Sequence, residues 1–220
     1  MSHDLCWRLS PNVRLAALGD DIVLMDLGRD AYECWPGAAD MITPLPQQGV
    51  RLTAPAVHSL FQDEGWIETD AEADRDSMVE PPEPGRDLAG APAARPTIVD
   101  GVRMALQALQ GWRAGPATPL ATLMADVRAF RGSVPLEPAP DHRRCALVFA
   151  ALRPWSPRQG LCLYRSYALL RFLAANDLAA HWVFGVRTWP FSAHCWVQVG
   201  DLVLDDDLDR VRSYVRIAVI

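Results

Sequence analysis

The chain has 220 residues, 27 acidic against 21 basic for a net charge of −6, and half of its residues are apolar; this suits one large or two small domains with a sizeable core. No apolar run reaches the length of a membrane span and the N-terminus lacks a basic stretch leading into an apolar one, so no membrane partner is expected and the expected location is the cytoplasm. Five cysteines, an odd number without CxxC spacing, argue against a disulfide framework and a structural zinc site, and no metal is expected.

In chain order, Arg14–Leu18, Ile22–Leu27 and Ala31–Trp35 read as a three-stranded antiparallel meander, with turns at Gly19-Asp20 and Gly28-Arg29-Asp30. Pro36–Ile42 is expected to start a short helix. Thr53–Phe61 predicts another, with Thr53 or Ala54 at the cap and Pro55 in its first turn. Gly65–Glu68 suggests a last short strand or helix edge. Cys6 and Cys34 read as packed side chains. Between residues 71 and 96, five prolines lie among acidic and small residues, which predicts a linker with little to bury. The charge also divides there: 17 acidic against 6 basic residues through Gly90, 10 against 15 after it. We therefore expect an N-terminal domain at 1–75, a linker at 76–96 and a second domain at 97–220. The acidic N-terminal part excludes nucleic acid as its partner.

Three helices are expected next: Ile98–Leu109; Pro119–Phe130, with Thr118 as N-cap; and one capped by Asp141 that runs through Leu152 with Cys145 toward the core. The loop Trp155–Gly160 then delivers Cys162 at the start of a further helix. His181–Arg187 reads as a strand, Thr188–Ser192 as a loop, and Ala193–Val199 as a second strand. A Gly200-Asp201 turn leads into the return strand Leu202–Asp206.

A thiol at a helix start, a histidine on a strand and a carboxylate on the next strand are the parts of a thiol hydrolase. The helix N-terminus favours the thiolate. An imidazole within about 3 Å takes the proton, and a carboxylate on its other nitrogen fixes tautomer and orientation. His194 and Asp206 are twelve residues apart across the turn, yet Asp205 and Asp207 flank the carboxylate, and a one-residue bulge would change which of them points inward. The bland alternatives are a buried apolar cysteine, a satisfied strand histidine and a solvated acidic strand end. Alternation points Cys195 away from the catalytic face and returns Trp196 to it. Gln159 is placed to donate toward an oxyanion, and Trp189 and Phe191 to grip substrate side chains.

The run Cys162-Leu-Tyr-Arg-Ser-Tyr-Ala-Leu, with Val186-Arg187, Pro190-Phe191, Ala193-His194-Cys195-Trp196-Val197 and Leu204-Asp205-Asp206, resembles the leader peptidases of lasso-peptide biosynthesis, a family of transglutaminase-like cysteine hydrolases. The resemblance implies Cys162 as nucleophile, His194 as base and Asp206 as third member; Asp205 stands where the family usually has asparagine. It implies an α+β fold: a transglutaminase-like or papain-like catalytic domain with helices followed by an antiparallel sheet. Leu24-Met25-Asp26-Leu27 with Tyr32 and Trp35 is similar to the small winged-helix-like domain that binds leader peptides in ribosomal-peptide pathways, which implies Leu24 and Tyr32 as leader contacts. The expected function is a cysteine protease that removes the leader from a lasso-peptide precursor before macrolactam closure. Its implied partners are that precursor, through its leader, and an asparagine-synthetase-like lasso cyclase. ATP is implied for the processing system, but no glycine-rich phosphate loop is present and this chain is not expected to bind a cofactor. The alternatives are another Cys-His-Asp acyl-transfer enzyme, such as an amidase or a transglutaminase-like enzyme, and a non-catalytic peptide-binding protein.

Overall fold

In a computed structural model, which describes residues 5–68, 80–111, 118–132, 134, 136–155 and 162–220, the alternating segments of the N-terminal region form strands joined by tight turns. The chain divides into two units. The first gathers residues 1–79 with 186–192 and 215–217; the second gathers 80–185, 193–214 and 218–220.

The first unit holds β1 (Leu5–Leu9), β2 (Val13–Leu18), β3 (Asp21–Asp26), β4 (Ala31–Trp35), β5 (Ile42–Leu45), β6 (Gly49–Leu52), helix α1 (Pro55–Asp63) and β7 (Ile67–Glu68). β2, β3 and β4 form the antiparallel meander, with Leu18 opposite Asp21 so that Gly19, at φ +62°, takes the first turn position. A second sheet has the order β5-β6-β1-β7. The helix expected at Pro36–Ile42 is absent: residues 36–41 are turns, and Ile42 enters β5. Gly37 sits there at φ +66°, outside helical space. Pro44 fits β5 because that strand lies at the sheet edge, where a missing N–H breaks no ladder.

Helix α1 starts on Pro55 after Ala54 and ends in a left-handed cap. Gly65, at φ +68°, donates to the Gln62 carbonyl, and Trp66 donates to that of Phe61. The cap folds Trp66 back onto Phe61, edge to face at 5.4 Å, with Trp35 5.6 Å from both. The buried indole N–H of Trp66 is satisfied by Asp26 at 3.0 Å. Ile22, Leu24, Val50 and Leu52 complete this core. A winged helix would show more helices after the meander; among the described residues of this unit α1 stands alone, and a second β-hairpin fills the place.

The second unit holds α2 (Ile98–Gly111), α3 (Leu120–Arg131), α4 (Pro140–Leu152), α5 (Cys162–Ala174), β8 (His181–Arg187), β9 (Ser192–Val199), β10 (Leu202–Val203), α6 (Leu208–Arg212) and β11 (Val215–Val219), the ends of β8 and β11 clustering with the first unit. The sheet order is β10-β9-β8-β11. Helix α5 is central: α2, α3 and α4 all pack on it, and it buries Leu169, Leu170, Phe172 and Leu173. At α3 the cap position falls on Pro119, one residue after Thr118. At α4 it falls on Ala139, whose N–H is taken by His142 Nδ1 at 3.1 Å, while Asp141 lies in the first turn. Cys145 is buried. Mixed helices and antiparallel sheets make the fold class α+β, as expected.

The proline-rich stretch behaves differently from its composition. From Glu80 it belongs to the second unit. Gly85 and Arg86 donate to the Asp201 carbonyl at 2.8 and 3.1 Å, and Val203 donates to that of Arg86 at 2.8 Å, so this stretch lies along β10. The Arg86 guanidinium holds the Asp201 carboxylate at two points. Prolines lack N–H but keep their carbonyls, and Gln198 and Arg212 donate to Pro82 and Pro84 at 2.7 and 3.1 Å.

Candidate active site

Cys162 is the first residue of α5, and the side chains that surround it come from β9 and from the turn after β10. His194 Nε2 lies 2.7 Å from Asp206 Oδ2. His194 also hydrogen-bonds Cys162, and with Nε2 engaged, Nδ1 is the nitrogen left for the thiol. Burial alone would lower the imidazole; hydrogen bonds to Asp206 and Cys162 and the charges of both overcome it and raise His194 to about 9. Burial would likewise raise Asp206, yet hydrogen bonds from His194, the Asp207 N–H and Arg165 hold its carboxyl well below the usual carboxylate range. The Cys162 thiol is lowered, first by a hydrogen bond from the Cys195 thiol and then, against burial, by His194 and the Cys195 N–H. The arrangement favours a thiolate beside an imidazolium that a carboxylate orients.

One expectation and one bland alternative about neighbours are corrected. Cys195 does not point away from Cys162: it is buried, its thiol meets that of Cys162, and this contact together with burial raises it. Ser166, one turn into α5, meets both the Cys195 carbonyl at 3.5 Å and its thiol at 4.0 Å, so this residue of β9 also faces the helix that carries Cys162. The acidic run is not a solvated strand end either. The Asp205 side chain is 3% exposed and accepts from the Val197 N–H at 2.8 Å and the Ser166 hydroxyl at 2.6 Å. Burial pushes its carboxyl up while Arg165, Ser166 and Val197 pull the other way. Asp207 caps α6, accepting from the Asp209 and Arg210 N–H groups.

Tyr214 stands 5.2 Å from the His194 ring and Trp196 stacks beside it at 6.4 Å. Both depend on Gly185, where a Cβ would come within 2.8 Å of Tyr214 Cβ and 2.9 Å of the Trp196 ring. Arg165 donates to Asp206 Oδ2 at 2.6 Å. The sequence carried a signal for it, since a residue three places after Cys162 shares its helix face. Gly185 had no such signal, because it reads as an ordinary strand residue.

Gln159 lies outside the described residues. Trp189 is 71% exposed and its indole donates to Asp21 at 2.7 Å; Phe191 is 46% exposed and packs 5.9 Å from Tyr32. These pairs fall within the first unit. Leu24 is fully buried in that unit's core, so its side chain cannot contact a bound leader. Among the described residues no group of three His, Cys, Asp or Glu side chains is disposed to hold a metal ion, and no helix is long and apolar enough to cross a membrane.

Comparison with known proteins agrees with this class of site. Residues 112–219, which contain all three of these side chains, match the transglutaminase-like superfamily, so the chain carries a transglutaminase-like domain. A 45-residue segment is 53% identical to the microcin J25-processing protein McjB of Escherichia coli. That segment is 20% of this chain and spans 22% of McjB. No solved structure matches the chain.

Proposed function

We propose that this protein is a cysteine endopeptidase that removes the leader from a ribosomally made lasso-peptide precursor before the macrolactam closes. The observation that carries the reading is the contact of Cys162, His194 and Asp206 inside a transglutaminase-like domain; the likeness to McjB supports the substrate class. The Cys162 thiolate adds to the scissile carbonyl carbon. As the C–N bond breaks, His194 Nδ1 gives its proton to the departing amine and a thioester remains. The neutral imidazole then takes a proton from water, whose oxygen displaces the thiolate and releases the acid. Nothing in this sequence of steps consumes a nucleotide. The ATP of the processing system is assigned to the asparagine-synthetase-like cyclase that would take the trimmed peptide. Free thiols suit the reducing cytoplasm.

We assign residues 1–75 to leader recognition, with the acidic and proline-rich stretch at 76–96 between them and the catalytic part at 97–220. In this assignment Tyr32 contacts the leader, and Trp189 and Phe191 grip substrate side chains. The test is mass analysis of the precursor encoded beside this gene after incubation with wild-type protein and Cys162→Ala. Two fragments from wild type and intact peptide from the variant support the reading. A product with an exchanged amide would mark a different acyl transfer, and cleavage by the variant would remove Cys162 as nucleophile.

A further inference from the structure

We propose that Arg165 is a positioning residue of this site, fixing the Asp206 carboxylate against His194 from the same helix that carries Cys162. The inference rests on Cys162 being the nucleophile. Arg165 lies three places after Cys162 on α5, so both leave the same helix face. Asp206 Oδ2 accepts from His194 at 2.7 Å and from Arg165 at 2.6 Å, while Oδ1 accepts from the Asp207 N–H at 2.9 Å. With both oxygens engaged the carboxylate cannot turn without losing a charge-assisted bond. The Nε edge of the same guanidinium lies 3.4 Å from Asp205 Oδ2, so one planar group spans two adjacent carboxylates of the strand end. Arg165 is mostly shielded, its side chain 19% exposed; Arg210 also faces Asp206, but at 3.8 Å and 60% exposed, where solvent screens it.

Among the described residues, the charged and titratable groups that face this cluster are Cys162 and Arg165 from α5, His194 and Cys195 from β9, Asp205 and Asp206 after β10, Arg210 from α6 and Tyr214 before β11. A purely structural role, in which Arg165 only neutralises buried Asp205, is the competing explanation. The two separate when Asp205 is neutralised by substitution.

The experiment uses the full chain with Arg165→Met, Arg165→Lys and the double variant Arg165→Met/Asp205→Asn. It reads kcat and KM on the precursor, thermal melting, and the rate of iodoacetamide alkylation at Cys162 from about pH 4 to 9, with Cys162→Ala identifying the labelled site. Losing the cation and freeing the carboxylate both disfavour the thiolate. The acid limb of alkylation in Arg165→Met is therefore expected to move up by about one pH unit. kcat is expected to fall about 10–100-fold with KM little changed, the scale on which misplaced reacting groups count. Arg165→Lys should recover only part of each, and the double variant should keep both defects. A folded Arg165→Met or double variant with the wild-type limb and kcat overturns the proposal, as does full recovery by lysine. If Arg165→Met does not fold, the double variant is read in its place. Alkylation needs no precursor, so a wild-type protein that fails to cleave would sink the peptidase reading while leaving this comparison standing.

Discussion

In the proposed mechanism Asp206, through His194, and Cys195, directly, both bear on the charge state of Cys162. Replacing Asp206 with Asn keeps the shape but removes the charge that orients His194, and kcat is expected to drop on the order of 10–10³-fold, less than for a serine enzyme because a thiolate needs less help. The sign of the pH effect follows from the cause. Asp206 helps raise His194 to about 9, so wild-type activity should fall as pH rises through about 9, where the imidazolium loses the proton it gives to the departing amine. In Asp206→Asn that alkaline limb should move down toward the ordinary histidine value of about 6.5; a pH–kcat profile shows it. Cys195→Ala removes the thiol that donates to Cys162, so its acid limb should rise, whereas Cys145→Ala should keep most activity, because burial pushes that thiol up and it touches none of the three. A Cys195→Ala profile that overlays wild type would reduce that thiol to packing.

At Gly185 an added methyl would collide with Tyr214 Cβ, a rigid obstacle, and with the Trp196 ring. Gly185→Ala is expected to cost about 1–3 kcal/mol by overpacking and to depress kcat by displacing the rings beside His194; a melting curve and a rate on the same preparation check both. Much at this scale was legible. The meander from Val13 to Trp35 follows from alternation broken by Gly19-Asp20 and Arg29-Asp30, and helix α5 follows from its apolar period. The hairpin turn at Gly200 likewise follows from Gly-Asp between two apolar runs. Residues 42–52 were not legible, since Pro44 and Pro46 look like breakers until β5 is known to be an edge strand. Nor was the thiol contact of Cys195, because strict alternation describes which sheet face a residue takes but not which helix end lies over that face.

For the molecule as a whole, leader recognition by residues 1–75 should show as affinity. A labelled leader peptide titrated against full-length Cys162→Ala should bind, and Tyr32→Ala should weaken binding and raise KM while leaving kcat nearly unchanged. Equal anisotropy for both proteins and for a scrambled peptide would leave the first unit as a cap. Point variants suit this better than truncation, because residues 186–192 and 215–217 cluster with residues 1–79. Deleting the N-terminal part would strip Asp21 from Trp189 and Tyr32 from Phe191.

The stretch through Pro82, Gly85 and Arg86 bears on where this chain can be cut. Its backbone occupies the open side of β10, a strand edge that would otherwise offer unpaired N–H and C=O groups to any extended chain nearby. Composition places the start of the C-terminal part near residue 97; hydrogen bonding places it at 80. A fragment spanning 80–220 should therefore run on gel filtration with less self-association than one spanning 97–220, in which β10 is bared two residues before Asp205. The same occupancy closes that edge to an incoming peptide, so a substrate reaching Cys162 in extended form has to pair elsewhere or not pair at all.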